Sequence, residues 1–310
     1  MLPPGSRSLR VVINGKVAGH PLLRPAIESL RARGHRVEVR VTWEGGDAAF
    51  FAEEAARNGL DAVVAAGGDG TLSEVVDGVC RLPSEQRCAV GVTPLGTAND
   101  FAKACGIGAG DPLDGLLLAA EAEPARIDVG RLDERRFINV ASGGFGAEVT
   151  AETPRDWKHL LGRAAYLITG LTQIKNIRAH GLRLEGPDFT WAGRAYVFAV
   201  GNGRQAGGGF QVCPRARIDD GLLDVFVLPE VPPNQLMPLL RDLLHLRADL
   251  PPDAIVYRQL PRLRVTSDEM IQVNLDGEPL RSRAYEFAVE PSALPFFLPP
   301  RASSLTRNAG

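Results

Sequence analysis

A run of small apolar residues, Ala62-Val63-Val64-Ala65-Ala66, breaks off into Gly67-Gly68-Asp69-Gly70-Thr71, and a helical pattern begins at once with Leu72-Ser73-Glu74-Val75-Val76. Strand, tight loop and helix in that order is how an α/β sheet presents ligands, beyond the carboxyl ends of its strands. The glycines let the backbone turn sharply and approach a ligand without Cβ clashes. The loop N–H groups and the helix N-terminus then offer donors and positive potential to phosphate. Asp69 is the residue that does not suit a plain anion cradle. A carboxylate there makes sense when a divalent cation lies between it and the phosphates. A simple βα turn capped by Asp69 or Thr71 is the competing reading; the flanking strand and helix favour nucleotide phosphate.

The rhythm around this loop is repetitive. Leu9 to Ile13 reads as a strand followed by an Asn14-Gly15-Lys16 turn, and Leu23, Ile27 and Leu30 recur at helical spacing until Gly34. Val37, Val39 and Val41 alternate as a second strand, Asp47 is placed to cap a helix running to Asn58-Gly59, and Ala89 to Val92 makes a fourth strand. This alternation predicts a doubly wound parallel sheet over residues 1–125.

After Pro124 the pattern changes to short strands with turns between them. Arg126–Leu132 and Phe137–Ala141 flank Asp133-Glu134 as a hairpin, and further strands are expected at Leu182–Leu184, Ala195–Val200, Leu222–Leu228, Arg262–Thr266, Met270–Leu275 and Tyr285–Val289. That predicts an antiparallel, sandwich-like β domain over residues 126–300, with 301–310 as a tail. Two apolar helical stripes interrupt it, one from Leu160 to Ile174 and one from Leu236 to Leu244. Both read as core, with a lipid entrance as the alternative.

The 310 residues suit two domains, and an apolar share of 45% with 23% charged residues is that of a globular protein. Basic and acidic residues nearly balance, 35 against 37, so no overall field announces nucleic acid. Cys80, Cys88, Cys105 and Cys213 form no C-x-x-C pair, and the five histidines are scattered, which argues for reduced cytosolic thiols and against zinc. Neither a secretory signal nor an apolar run of spanning length is visible, so a cytoplasmic location is expected, with membrane contact peripheral and transient.

A second loop, Pro94-Leu95-Gly96-Thr97-Ala98-Asn99-Asp100-Phe101, supplies hydroxyl, amide and carboxylate groups within four positions at the end of the neighbouring strand. Thr97 or Asn99 would also cap a helix there, and both roles can coexist, since a helix N-terminus is itself an anion site. Gly67–Thr71 resembles the signature shared by diacylglycerol, sphingosine and NAD kinases. The Pro94–Phe101 string resembles the second signature of the diacylglycerol kinase catalytic superfamily, which NAD kinases do not show. Val41-Thr42-Trp43-Glu44-Gly45-Gly46-Asp47, Gly143-Gly144-Phe145-Gly146, Gly201-Asn202-Gly203-Arg204-Gln205-Ala206-Gly207-Gly208-Gly209 and Leu275-Asp276-Gly277-Glu278-Pro279 extend the likeness over nearly the whole chain. Together they resemble the bacterial YegS-like lipid kinases.

The resemblance implies an ATP-dependent lipid kinase in which nucleotide and lipid meet in a cleft between the two domains. It implies nucleotide contacts at Thr42, Gly68, Asp69, Gly70, Thr71, Leu72, Ser73, Glu74 and Thr97, with Mg²⁺ as cofactor. It assigns the general base to Glu278; the residues alone leave Asp276-Gly277 as a hairpin turn with Glu278 solvated. It further implies a cation, Mg²⁺ or Ca²⁺, held by the Asp220 side chain and the carbonyls of Arg217 and Leu222. An Asp-Gly turn before a strand is the competing reading of that stretch. Arg204, Arg215 and Arg217 are candidate contacts for anionic headgroups, or ordinary solvated charge. Two rival functions remain, an NAD kinase-like enzyme and a catalytically silent lipid-binding module.

Overall fold

The computed structural model describes residues 5–144, 178–232, 235, 255–276, 278–300 and 302. Both apolar helical stripes, Leu160–Ile174 and Leu236–Leu244, lie outside the described residues, as do Phe145, Gly146 and Gly277.

The first half alternates as the sequence predicts: β1 (Ser8–Asn14), α1 (Leu23–Ala32), β2 (Arg36–Thr42), α2 (Asp47–Arg57), β3 (Ala62–Gly67), α3 (Asp69–Cys80), β4 (Ala89–Pro94), α4 (Asp100–Ala104) and α5 (Pro112–Glu121). Side chains on successive residues of a strand point to opposite faces, and the two cores follow that alternation. Leu9, Val11, Ile13, Val64 and Ala66 pack with α1 and α5. Val12, Val63 and Ala65 pack with α2 and α3 on the other face. Arg10 sits on that second face at 2% exposure. Its guanidinium is paired to Glu38 at 2.7 Å and Glu54 at 2.5 Å and donates to the Phe51 carbonyl at 3.0 Å, which ties α2 to β1 and β2.

The β-rich half comprises β5 (Ala125–Leu132), β6 (Arg135–Phe137), β7 (Val140–Gly144), β8 (His180–Gly186), β9 (Phe189–Gly201), the short pair β10 (Gln205–Ala206) and β11 (Phe210–Gln211), then β12 (Leu223–Pro229), β13 (Val256–Leu260), β14 (Arg262–Leu275) and β15 (Glu278–Phe296). The hairpin at Asp133-Glu134 forms as expected, with Leu132 opposite Arg135 and Asp133 at φ 51°. Its second strand stops at Phe137 rather than continuing to Ala141. Ile138 and Asn139 break it, and β7 resumes beside β9 and β14. The two strands expected at Arg262–Thr266 and Met270–Leu275 are one, β14, with an irregularity between Thr266 and Ile271.

Thirteen of the described strands join in one sheet, ordered β13-β12-β9-β7-β14-β15-β4-β3-β1-β2, with β5 alongside β15. The strands β4, β3, β1 and β2 are mutually parallel. β15 joins the two halves: it pairs antiparallel with β14 at its start, and at its end Phe296 pairs with Val90 of β4 and packs on Phe101 with ring centroids 5.2 Å apart. Within the parallel part the chain steps from β1 outward to β2 and then returns to the other side of β1 for β3. The order of strands therefore reverses between β1 and β3, which is where an open α/β sheet forms its binding crevice. The crevice is bounded by the Asn14 turn and the Gly67–Asp69 loop.

Candidate active site

Gly68 takes the N-cap position of α3 with extended backbone at φ −97°, and Leu72 N–H makes the first intrahelical bond back to the Gly68 carbonyl. The N–H groups of Asp69, Gly70 and Thr71 thus belong to the helix end, where no intrahelical acceptor exists, and they face the end of the sheet as anion donors. Leu72 itself is 1% exposed and its side chain belongs to the core. Neither Asp69 nor Thr71 caps the helix. Thr71 Oγ1 instead accepts from Asn14 Nδ2 at 3.0 Å, which fixes the β1 turn to the α3 end.

The two signature loops touch through their glycines. Leu95 N–H donates to the Gly67 carbonyl at 2.8 Å. A Cβ added at Gly96 would lie 2.4 Å from the Gly68 Cα and 2.8 Å from Asn99 Oδ1, so only glycine permits this approach. Asn99 occupies the N-cap position of α4 in the left-handed region at φ 51°, and its side chain is spent on its own loop, accepting from Gly96 N–H at 3.0 Å and donating to the Gly96 carbonyl at 2.7 Å. Thr97 stands exposed at the loop tip.

Asp69 links both loops to the β-rich half. Its Oδ1 accepts from Phe101 N–H at 3.1 Å and from Asn139 Nδ2 at 3.3 Å. Asp276 makes a second link: Oδ2 accepts from Ser73 Oγ at 2.8 Å, on the first turns of α3, and from Ile138 N–H at 3.2 Å. Burial pushes the Asp276 carboxyl up to about 6, with the nearby Asp69 charge adding to the rise against the hydrogen bonds it accepts. Asp100 makes a third link, its Oδ2 accepting from Gly208 N–H at 2.9 Å in the glycine-rich loop. Burial also raises its pKa, offset by the Gly208 bond and reinforced by Asp69. Carboxylates from β3–α3, β4–α4 and β14–β15 thus border one region, and the Asp69 charge reaches both Asp100 and Asp276.

Asp100 Oδ1 and Asp276 Oδ1 are both buried without a hydrogen-bond partner on the protein. Buried carboxylate oxygens with lone pairs left over, beside a third carboxylate, suit a hard cation or its water shell. Among the described residues, no three His, Cys, Asp or Glu side chains are close enough together to hold a metal by themselves. A cation in the crevice would therefore need oxygen ligands from a phosphate as well.

Glu278 opens β15 opposite Leu275. Its carboxylate is 63% exposed and paired to Arg135 at 2.6 Å. Its charge reaches Glu74 on α3, whose pKa is raised chiefly by burial and further by Glu278. Glu74 Oε2 in turn accepts from Gly46 N–H at 3.0 Å, and Thr42 Oγ1 accepts from Gly15 N–H at 3.2 Å, so α3 is tied to the β2–α2 turn and the end of β2 to the turn after β1.

The Arg217–Leu222 stretch lies apart from the nucleotide loops, in a closely bonded turn. Asp220 Oδ1 accepts from Leu222 N–H at 3.1 Å, and Asp128 accepts from Gly221 N–H at 2.6 Å and Ser292 N–H at 2.7 Å. The Asp-Gly turn, the competing reading of this stretch, is present. The arginines expected at a lipid surface have partners on the protein. Arg204 Nε donates to the Ala216 carbonyl at 2.8 Å, Arg215 stacks over Tyr257 at 5.3 Å, and Arg217 lies 3.9 Å from Asp219.

Sequence reasoning missed Asn139 and understated Asn14 and Asp276. A single amide between two strands carries no spacing signal; its role exists only once β6 lies beside α3.

Residues 8–132 match the family model for the diacylglycerol kinase catalytic domain, and residues 139–298 match that for the YegS C-terminal NAD kinase beta sandwich-like domain. A Pseudomonas aeruginosa protein named "Probable lipid kinase YegS-like" is 45% identical over 289 residues, 93% of each chain. A Serratia proteamaculans protein of the same name is 42% identical over 306 residues, 98% of each chain. The chain belongs to the YegS-like lipid kinase family. Its fold has solved counterparts in Bacillus anthracis str. Sterne. One chain superposes with a TM-score of 0.82 at 23% identity, covering 96% of each chain. Another, named a diacylglycerol kinase, superposes at 0.74 and 20% identity, covering 96% of this chain and 98% of that one. At those identities the likeness speaks to fold alone. Within this YegS-like kinase, the two stretches joined by the Asp69, Asp100 and Asp276 bonds correspond to the two family domains.

Proposed function

We propose that the protein transfers the γ-phosphate of ATP to a hydroxyl of a membrane lipid such as diacylglycerol or phosphatidylglycerol, with residues 1–125 holding the nucleotide and 126–300 the lipid. The observation that carries this reading is the glycine-to-glycine contact of the two signature loops, bordered by three carboxylates. Thr42, Gly68 to Glu74 and Thr97 would line the nucleotide, with the N–H groups at the α3 end on the phosphates. Asp69 would hold Mg²⁺ with the phosphates, directly or through water, and that ion would supply charge neutralisation as the phosphoryl group moves.

Phosphoryl transfer asks little covalent chemistry of a protein beyond positioning and a base. As the lipid oxygen attacks the γ-phosphorus, its O–H bond breaks toward the Glu278 carboxylate and the bond to the β-phosphate oxygen breaks, releasing ADP. Arg135, paired to Glu278 at 2.6 Å, would hold it at the mouth of the cleft, just beyond Asp276 along the chain. At the Asp220 turn, one carboxylate with the Arg217 and Leu222 carbonyls would supply hard oxygen ligands to Mg²⁺ or Ca²⁺ in a structural or regulatory role. Among the described residues no helix is long and apolar enough to cross a membrane, and the lipid would be met by reversible surface contact.

Incubation with labelled ATP and a panel of lipids, separated by thin-layer chromatography, tests this reading. A labelled phospholipid is expected. Label transferred only to NAD, or to no acceptor, refutes it.

A further inference from the structure

At the rim of the crevice, Trp43 follows the last residue of β2 and is 96% exposed, the most open of the large apolar side chains among the described residues. Leaving an indole in water forgoes a large burial energy, and on an ordinary loop the backbone that carries it would have no means of holding one position. This loop is not ordinary. Trp43 N–H and Glu44 N–H both donate to Asp47 Oδ2, at 2.7 and 3.0 Å. Those two bonds hold the Asp47 carboxyl below its usual range. Gly46 N–H donates to Glu74 on α3. The segment carrying Trp43 is therefore anchored to the helix whose N-terminus faces the phosphates.

The anchoring continues along the sheet edge. Thr71 Oγ1 is bonded to Asn14, Gly15 N–H to Thr42 Oγ1, and Trp43 is the next residue. A Cβ at Gly15 would fall 2.4 Å from the Thr42 carbonyl, so β1 and β2 are drawn together at this end. With adjacent strands about 4.8 Å apart, β2 lies roughly 10 Å from β3, which leaves room for a ribose and base beyond phosphates seated at Asp69–Thr71.

We propose that Trp43 is the stacking platform for the purine base of the bound nucleotide, a contact that sets ATP affinity and selects an aromatic base. This rests on the ATP reading given above. An exposed indole on an anchored backbone offers a π face with only its two side-chain torsions left to order on binding, and base–aromatic stacking is tolerant of which base is offered. GTP is accordingly expected to bind as well as a stacking ligand, and inorganic tripolyphosphate, which has no base, to leave the indole unquenched.

Trp43 is one of three tryptophans, so its emission can be isolated in a variant carrying Trp157→Phe and Trp191→Phe. Saturable quenching by ADP, with none from tripolyphosphate, is expected. Trp43→Ala in the otherwise unchanged chain should raise the KM for ATP about ten-fold, within the range a lost base stack produces, with kcat at saturating ATP nearly unchanged. Trp43→Phe should recover most of the affinity. If the double Phe variant does not fold, the difference spectrum between the unchanged chain and Trp43→Phe supplies the same signal. Equal quenching by tripolyphosphate, or an unaltered KM in Trp43→Ala, overturns the assignment while leaving the kinase reading intact. An emission that shifts only with anionic vesicles and ignores ADP also overturns it, assigning the indole to a membrane surface. A chain that binds no nucleotide removes both the assignment and the reading beneath it.

Discussion

Replacing Asp276 by Asn should change how stability depends on pH, and in a direction fixed by the structure. The carboxyl is buried at the junction of β14, β15 and α3, and its pKa rises from 3.8 to about 6. A carboxyl whose pKa is raised by folding binds its proton more tightly in the native state. Its penalty is therefore full above about pH 6, shrinks as pH falls through that value, and is gone below 3.8. At about 1.4 kcal/mol per pH unit the whole penalty is about 3 kcal/mol, of which about 2 kcal/mol is relieved between about pH 7.5 and about pH 4.5. In the Asp276→Asn variant the new amide oxygen could still accept from Ser73 and Ile138. Its amide nitrogen would occupy the place where Asp276 Oδ1 now finds no donor, and an unmatched donor there costs about 1–3 kcal/mol. The absolute stability of the variant is thus a balance of two terms. The slope is not. In urea titrations, the unchanged protein should gain about 2 kcal/mol on the Asn variant between about pH 7.5 and about pH 4.5. Parallel curves for the two proteins would show that Asp276 is not the desolvated carboxyl described here, and a relative loss at low pH would reverse the argument.

Glu278→Gln keeps the side-chain volume and removes the proton acceptor, so kcat should fall by about 10²–10⁴-fold with little change in the KM for ATP; full kcat, or lost ATP binding instead, contradicts its assignment. Asp276→Asn is the control that separates proton transfer from damage to the α3 junction. Gly96→Ala places a methyl group 2.4 Å from the Gly68 Cα and should both lower the thermal midpoint and abolish turnover, since overpacking of this kind costs about 1–3 kcal/mol; an active, equally stable variant would show that the loop contact is dispensable.

The architecture was legible where local pattern decides it. The strand and helix periods of the first half, the change of rhythm after Pro124 and the two signature loops all follow from residues close in sequence. What escaped depends on partners far apart. Ser73 and Asp276 are 203 positions apart, and Asn139 meets Asp69 across 70. Arg10 interrupts an apolar strand and looks like an edge residue until Glu38, Glu54 and the Phe51 carbonyl close around it. Asp47 was expected to cap α2, but Gly46 takes the N-cap at φ 91°. The carboxylate turns back to Trp43 and Glu44 instead, because a left-handed N-cap redirects the chain in a way composition does not disclose. Resemblance supplied the proposed roles of Glu278 and Thr42, which their neighbours in sequence would have left as solvated turn and strand end.

Phosphoryl transfer from labelled ATP to lipid, measured side by side for the unchanged protein and Asp69→Asn at matched thermal stability, bears most directly on the account. Asp69 is the carboxylate on which both signature loops and the β-rich half converge, through Phe101 N–H and Asn139. If it organises cation and phosphates, the folded Asn variant should transfer no detectable label while the unchanged protein labels a lipid. Near-normal transfer by a folded Asp69→Asn variant would contradict the proposed site at its centre.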